Sequence, residues 1–345
     1  MSYSVIAPGV MEVELPETTK APPTTMKQPI KPINLAELLT HNFPTRELIL
    51  SPVFTLSSLN MIFARRGIGK THASLGIAYA AASGGSIWGW HAARPYRVLL
   101  IDGEMPGESL QARLAAIVSV ADREPNPDYL QIITIDMQGG IMPDLSIIEG
   151  QDAIEAACRT AELIIVDNLS CLCRSGRENE AESWRTLSEW ALRMRSAGKC
   201  VIFIHHAGKD GQQRGTSKRE DILDVVIELK RPADYDSEQG ARFIVNYTKA
   251  RHLTGQDAQP FEAWLQTEQD GRQAWATTTV TESTFQQVVE LANLGLSQAD
   301  IAAELSINKS NVCRHIQKAK EGGLLVEKSK KSAKAAVTRR VDIDD

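Results

Sequence analysis

The sequence predicts an α/β fold with a mainly parallel sheet, and three observations carry that expectation. A Gly-bearing loop joins an apolar strand to a helix at residues 59–71, later short apolar runs each end in polar residues, and helical stretches alternate with those runs. The loop, LNMIFARRGIGKT, follows the pattern G-x-x-x-x-G-K-[ST] except at its first position, where Ala64 stands for Gly. Such a loop aims successive backbone N–H groups and a helix start at a polyphosphate. Ala64, Arg65, Arg66, Gly67, Ile68, Gly69, Lys70, Thr71 and His72 are therefore the candidate nucleotide cradle. Lys70 can reach the terminal phosphates, and the Thr71 hydroxyl can ligate Mg²⁺. A chance GKT in a surface turn is the bland alternative. Met61, Ile62 and Phe63 upstream and an Ala-rich helix over 70–83 speak against it.

The other elements follow in order. Residues 1–45 are Pro- and Thr-rich and read as a flexible leader with a short helix over 34–39. After the cradle helix, RVLLI at 97–101 reads as a buried strand ending in Asp102-Gly103-Glu104. A helix over 107–120, a strand over 130–135 and a helix over 151–161 come next. A strand over 163–166 then ends in Asp167, and a helix over 181–196 leads to a strand over 200–204 that ends in His205-His206. Ligands bind at the carboxyl ends of strands in open α/β sheets. Asp167 is placed to hold Mg²⁺, and because Asn168 rather than a carboxylate follows it, the base must come from elsewhere. Glu104 is the candidate, just past the end of a parallel strand that could neighbour the cradle strand. His205 or His206 can contact a γ-phosphate; the sequence does not say which points inward, and a satisfied core histidine is the alternative. The loop 207–219 carries Gly208, Gly211 and Gly215 with Lys209, Arg214, Lys218 and Arg219, so it reads as mobile and basic. Strands over 225–229, 242–248, 261–267 and 273–279 extend or flank the sheet.

A composition break near Glu282 opens a last unit with helices over 285–294, 297–305 and 309–320. Ile301, Ala302, Leu305, Ile307, Val312 and Ile316 are spaced as in a helix-turn-helix, with Ser297 and Asn308 as N-caps. Lys309, Ser310, Asn311, Arg314 and His315 are then exposed on the second helix, where duplex DNA is contacted, and Gly322-Gly323 opens a wing. A helical bundle for subunit contacts is the alternative. The expected organisation is a leader at 1–45, an ATPase core at 46–281, a helix-turn-helix unit at 282–327 and a disordered tail at 328–345. Charge agrees with that division: residues 309–340 hold ten Lys or Arg against two Glu, which leaves −13 for the remainder of a chain whose total is −5. No apolar run approaches the roughly 18 residues of a membrane span, and the five cysteines have no paired metal spacing. The expectation is a cytoplasmic protein with no membrane contact and reduced thiols.

Five ordered motifs, ARRGIGKT, DGE, IIVDN, FIHHAGKDGQQRGTSKREDILD and YTKAR, over residues 45–265 resemble the RecA-type ATPases of the plasmid RepA hexameric helicase group, more distantly the DnaB-like replicative helicases. The resemblance implies a RecA-like P-loop NTPase core, a homo-hexameric ring with ATP and Mg²⁺ at each interface, Glu104 as catalytic base and His205 or His206 as γ-phosphate sensor. It also implies single-stranded DNA on the loop 207–219. Lys249 and Arg251 would reach into the neighbouring subunit's site, Arg251 as an arginine finger. Alternate strand residues share a face, and a guanidinium offers bidentate charge to phosphate. The implied function is ATP-dependent DNA unwinding. A DNA-binding regulator or recombination accessory that unwinds nothing is the second reading, and a plain DNA-binding protein with an inactive NTPase fold is the third.

Overall fold

The computed structural model describes residues 31–43, 46–174, 181–207, 221–232, 234–268, 270–305 and 307–325, with backbone alone at 181–183. The chain divides into two compact units, residues 1–45 and 46–345. In the first, α1 (Leu35–Thr40) opens with a capping box: Asn34 accepts the Glu37 N–H at 2.9 Å, and Glu37 accepts the Asn34 N–H at 3.0 Å.

The second unit begins with the hairpin of β1 (Leu48–Leu50) and β2 (Phe54–Thr55), which feeds β3 (Ser58–Ala64). All seven residues of β3 are buried. The chain turns into α2 (Lys70–Ser83), makes a small hairpin of β4 (Ser86–Ile87) and β5 (Trp90–His91), and enters β6 (Val98–Asp102). There follow α3 (Gly107–Val120), β7 (Leu130–Thr134), α4 (Ile148–Thr160), β8 (Leu163–Asp167), the short α5 (Leu169–Leu172) and α6 (Ala181–Ser196). Then come β9 (Cys200–His206), β10 (Val225–Lys230), β11 (Arg242–Ala250), β12 (Phe261–Thr267) and β13 (Gln273–Thr279).

Nine of these strands form one sheet in the order β13, β12, β11, β10, β3, β9, β8, β6, β7. The pairs from β10 through to β7 are parallel, and β11, β12 and β13 add antiparallel neighbours at one side. The central strands are largely apolar because both faces are covered. Leu59, Met61 and Phe63 pack with Trp184, Trp190 and Phe203 on one face, while Ile62 and Ala64 pack with Leu75 and Ile77 on the other. α2 is rich in alanine and almost wholly buried. The expectation that the Glu104 strand neighbours the cradle strand is corrected: β6 lies between β7 and β8, and β8 and β9 separate it from β3.

Three helices follow β13: α7 (Val280–Asn293), α8 (Gln298–Glu304) and α9 (Lys309–Glu321), packed around Val288, Ile301, Leu305, Val312 and Ile316. α7 starts directly from β13, ahead of the composition break at Glu282. Ser297 caps α8 as its spacing predicts, accepting the Asp300 N–H at 3.3 Å, but Asn308 makes no side-chain cap on α9. Asn311 and His315 are half-buried rather than exposed, and the His315 ring packs 5.8 Å from that of Phe285. Most of the leader and the tail at 328–345 lie outside the described residues. Among the described residues no helix is long and apolar enough to cross a membrane.

Candidate functional site

The carboxyl edge of β3, β9 and β8, with the turn after β6, opens into a cleft of about 560 Å³. Its floor is the loop between β3 and α2. Gly69 has φ 118° and caps α2 without a side chain, and a Cβ there would meet the Ala241 Cβ at 3.1 Å and the Phe243 ring at 3.2 Å. Glycine is thus required twice over, by its backbone angle and by the close approach of β11. The first turn of α2 holds no acidic residue, so its N–H groups and dipole face the cleft uncompensated. Lys70 is buried, and its Nζ donates to the carbonyl oxygens of Ala64 and Arg65 at 3.2 Å each. Burial lowers its pKa, while the nearby Asp167 and Glu104 carboxylates work to raise it.

Asp167, at the end of β8, accepts the Ser74 hydroxyl at 2.7 Å and is pushed up to about 7 by burial. A carboxylate so strongly desolvated beside a half-buried Thr71 is a fitting donor for a divalent cation, which would offset the burial of its charge. Glu104 stands on a turn built by Asp102, whose Oδ1 accepts the N–H groups of Glu104 at 3.0 Å and Met105 at 2.7 Å. Its own Oε2 accepts a bond from the Asn168 side-chain amide and lies 3.6 Å from His206 Nε2. Strand alternation resolves the histidine pair: His206 lines the cleft, and His205 is fully buried on the other face. His72 lines the cleft with Arg113, and burial followed by the Arg113 charge lowers its pKa to about 4.

The structure thus brings together Arg66, Gly67, Ile68, Gly69, Lys70, Thr71, His72, Glu104, Asp167 and His206. Ala64 and Arg65 serve from behind through their carbonyls. Lys249 and Arg251 stand elsewhere. Ala250 pairs with Val225, and Val225 pairs with Asn60, so these residues lie at the amino end of β3, across the sheet from the cleft. Arg251 donates to the Asp221 carbonyl at 2.7 Å and sits 4.0 Å from Asp224. Residues 208–219 of the basic loop are outside the described residues.

Arg231 and Arg113 have no part in the sequence reading, and Asn168 entered it only as the residue after Asp167. Arg231, just past β10, donates to the Gly67 carbonyl at 2.5 Å and lies 3.5 Å over the Tyr235 ring. Asn168 orients Glu104, and Arg113 projects from α3. The sequence offered only that Arg231 follows an apolar strand, as Asp167 and His206 end theirs; that this strand lies beside the cradle strand is seen in the fold.

A Gly-rich phosphate cradle at the carboxyl end of a buried strand in a mostly parallel sheet defines a P-loop ATPase. The chain belongs to the family AAA_25, described as AAA domain, whose model matches residues 25–212. Comparison with curated proteins gives no match. Among solved structures the chain is similar to the flagellar accessory protein FlaH from Methanocaldococcus jannaschii, at 12% identity over 65% of this chain and 91% of that one, with a TM-score of 0.42. It is similar to the KaiC-like protein PH0186 from Pyrococcus horikoshii OT3, at 14% identity over 68% and 99%, TM-score 0.43. It is also similar to the RadB recombinase, at 13% over 62% and 89%, TM-score 0.44.

Proposed function

We propose that the protein is a RecA-type ATPase that assembles as a hexameric ring, a replicative helicase of the plasmid or mobile-element kind, and couples ATP hydrolysis to movement along single-stranded DNA. The observation that carries this reading is the split of the charged groups between two ends of one sheet. Glu104, Lys70 and Asp167 gather at the cleft, while Arg251 sits at the far end of β11, too distant to serve the cleft of its own chain, and in this reading it serves a neighbour's. Thr71 and Asp167 would hold Mg²⁺, which neutralises charge on the phosphates. Lys70 binds the terminal phosphates, Glu104 accepts a proton from the attacking water, and Asn168 keeps that carboxylate aimed. His206, the last residue of β9 and 3.6 Å from Glu104, would respond to loss of the γ-phosphate. Single-stranded DNA is assigned to the loop 207–219 and duplex DNA to residues 297–320, a winged helix-turn-helix in this reading.

Strand separation on a forked duplex tests the proposal. ATP-dependent unwinding that is abolished in Lys70→Ala is expected. DNA-stimulated turnover without unwinding would favour a regulator or recombination accessory, a reading that the three C-terminal helices also fit.

A further inference from the structure

The segment between β10 and β11 forms one wall of the cleft, contributing Tyr235, Ser237 and Gly240, and it is fastened by a buried ion pair outside the cleft. Arg242, the first residue of β11, is only 6% exposed. Its Nε donates to Glu262 Oε1 at 2.6 Å, its Nη1 to Gln239 Oε1 at 2.9 Å and its Nη2 to Asp234 Oδ2 at 3.0 Å. One guanidinium therefore grips the wall segment at two points and β12 at a third. Arg231 ties the same segment to the cradle: its Nη1 donates to the carbonyls of Gly240 at 2.9 Å and Arg242 at 3.0 Å, and its Nη2 to Gly67. On the other side, Glu262 is 5% exposed, and its second oxygen accepts the Ser283 hydroxyl of α7 at 2.6 Å. A continuous hydrogen-bonded path thus runs from the phosphate loop to the first turn of the C-terminal helices.

A buried ion pair is poor evidence for stability alone, since well-packed apolar residues would serve as well. Its geometric demands are strict, and here they fall on the wall of the cleft. We propose that Arg242 is a positioning residue for the nucleotide site, and that through Glu262 and Ser283 it makes the geometry of that site depend on the seating of α7. The inference rests on the ATPase reading. Arg242 does not line the cleft, so it acts through Asp234, Gln239 and Gly240. Coupling of this kind is reciprocal: whatever ligand shifts α7 alters ATP affinity by the factor with which ATP alters affinity for that ligand.

Two full-length variants test it. Ser283→Ala removes one hydroxyl, and Arg242→Lys keeps the charge but loses the fork. Both should speed amide exchange across residues 234–241 without nucleotide, and both should weaken binding of a fluorescent ATP analogue by about fivefold or more, the lower end of ordinary coupling between sites. The rate at saturating ATP should stay within about twofold, as expected when binding geometry rather than chemistry is disturbed. Ser283→Thr, which retains the hydroxyl, should restore both readouts. Faster exchange confined to α7, with residues 234–241 and nucleotide affinity unchanged, would overturn the inference. If exchange responds as stated but the wild-type protein binds no nucleotide, the ATPase reading falls and the mechanical tie stands.

Discussion

Glu104 is held by its neighbours in a way that separates orientation from chemistry. Glu104→Gln keeps the shape and removes the base, so nucleotide should still bind while steady-state hydrolysis falls by about a hundredfold or more. Asn168→Ala leaves the carboxylate but frees its direction. A smaller loss, about tenfold, is expected from one hydrogen bond to a charged group. His72 sets a pH dependence of stability. Its pKa is about 4 in the folded chain against 6.5 for the free side chain, so the unfolded state binds the extra proton in that interval. The neutral imidazole contributes fully above about pH 6.5, and stability should fall as pH drops from there towards about 4, by a few kcal/mol at most. Denaturant titrations of His72→Gln should show a flatter acid limb than those of the wild-type protein.

At the level of elements, α9 presents Lys309 and Arg314 to solvent while Val312 and Ile316 face α7 and α8. If α9 meets duplex DNA, Lys309→Ala with Arg314→Ala should reduce the slope of log K against log salt by about 0.9 for each lost phosphate contact. An unchanged slope would favour a bundle for subunit contacts. Strands and helices were legible in the sequence wherever burial is complete: β3, β8 and β9 are mainly apolar runs, and α2 begins at Lys70 within the cradle motif. Strand order was not, because periodicity fixes which face a residue occupies but not which strand lies beside it. Glu104 therefore belonged to the right edge of the sheet but not to the expected neighbour. The choice between His205 and His206 needed the register of β9, and Arg231 looked like any solvated arginine until β10 was placed beside β3. His315 read as exposed because the Phe285 ring that covers it lies 30 residues away in sequence.

For the whole molecule, subunit mixing is the sharpest test. Lys70→Ala subunits retain Arg251, and Arg251→Ala subunits retain the cleft. Mixing two inactive proteins should restore turnover, and since a finger is worth about 10³ to 10⁵ in rate, a few repaired interfaces suffice to be measured. An inert mixture of freely exchanging subunits would place Arg251 outside the reaction. The placement of Arg251 at the amino end of the central strands and of the cradle at their carboxyl end also constrains symmetry. A head-to-tail contact between those two surfaces leaves one cleft and one Arg251 free at the ends of any chain of subunits, whereas a two-fold pair would engage both at once, each copy's Arg251 facing the other's cleft. If the proposed ring forms, its head-to-tail contact closes, while any open chain of subunits leaves its last cleft without a partner. Turnover per subunit should accordingly climb with assembly size and level off at closure.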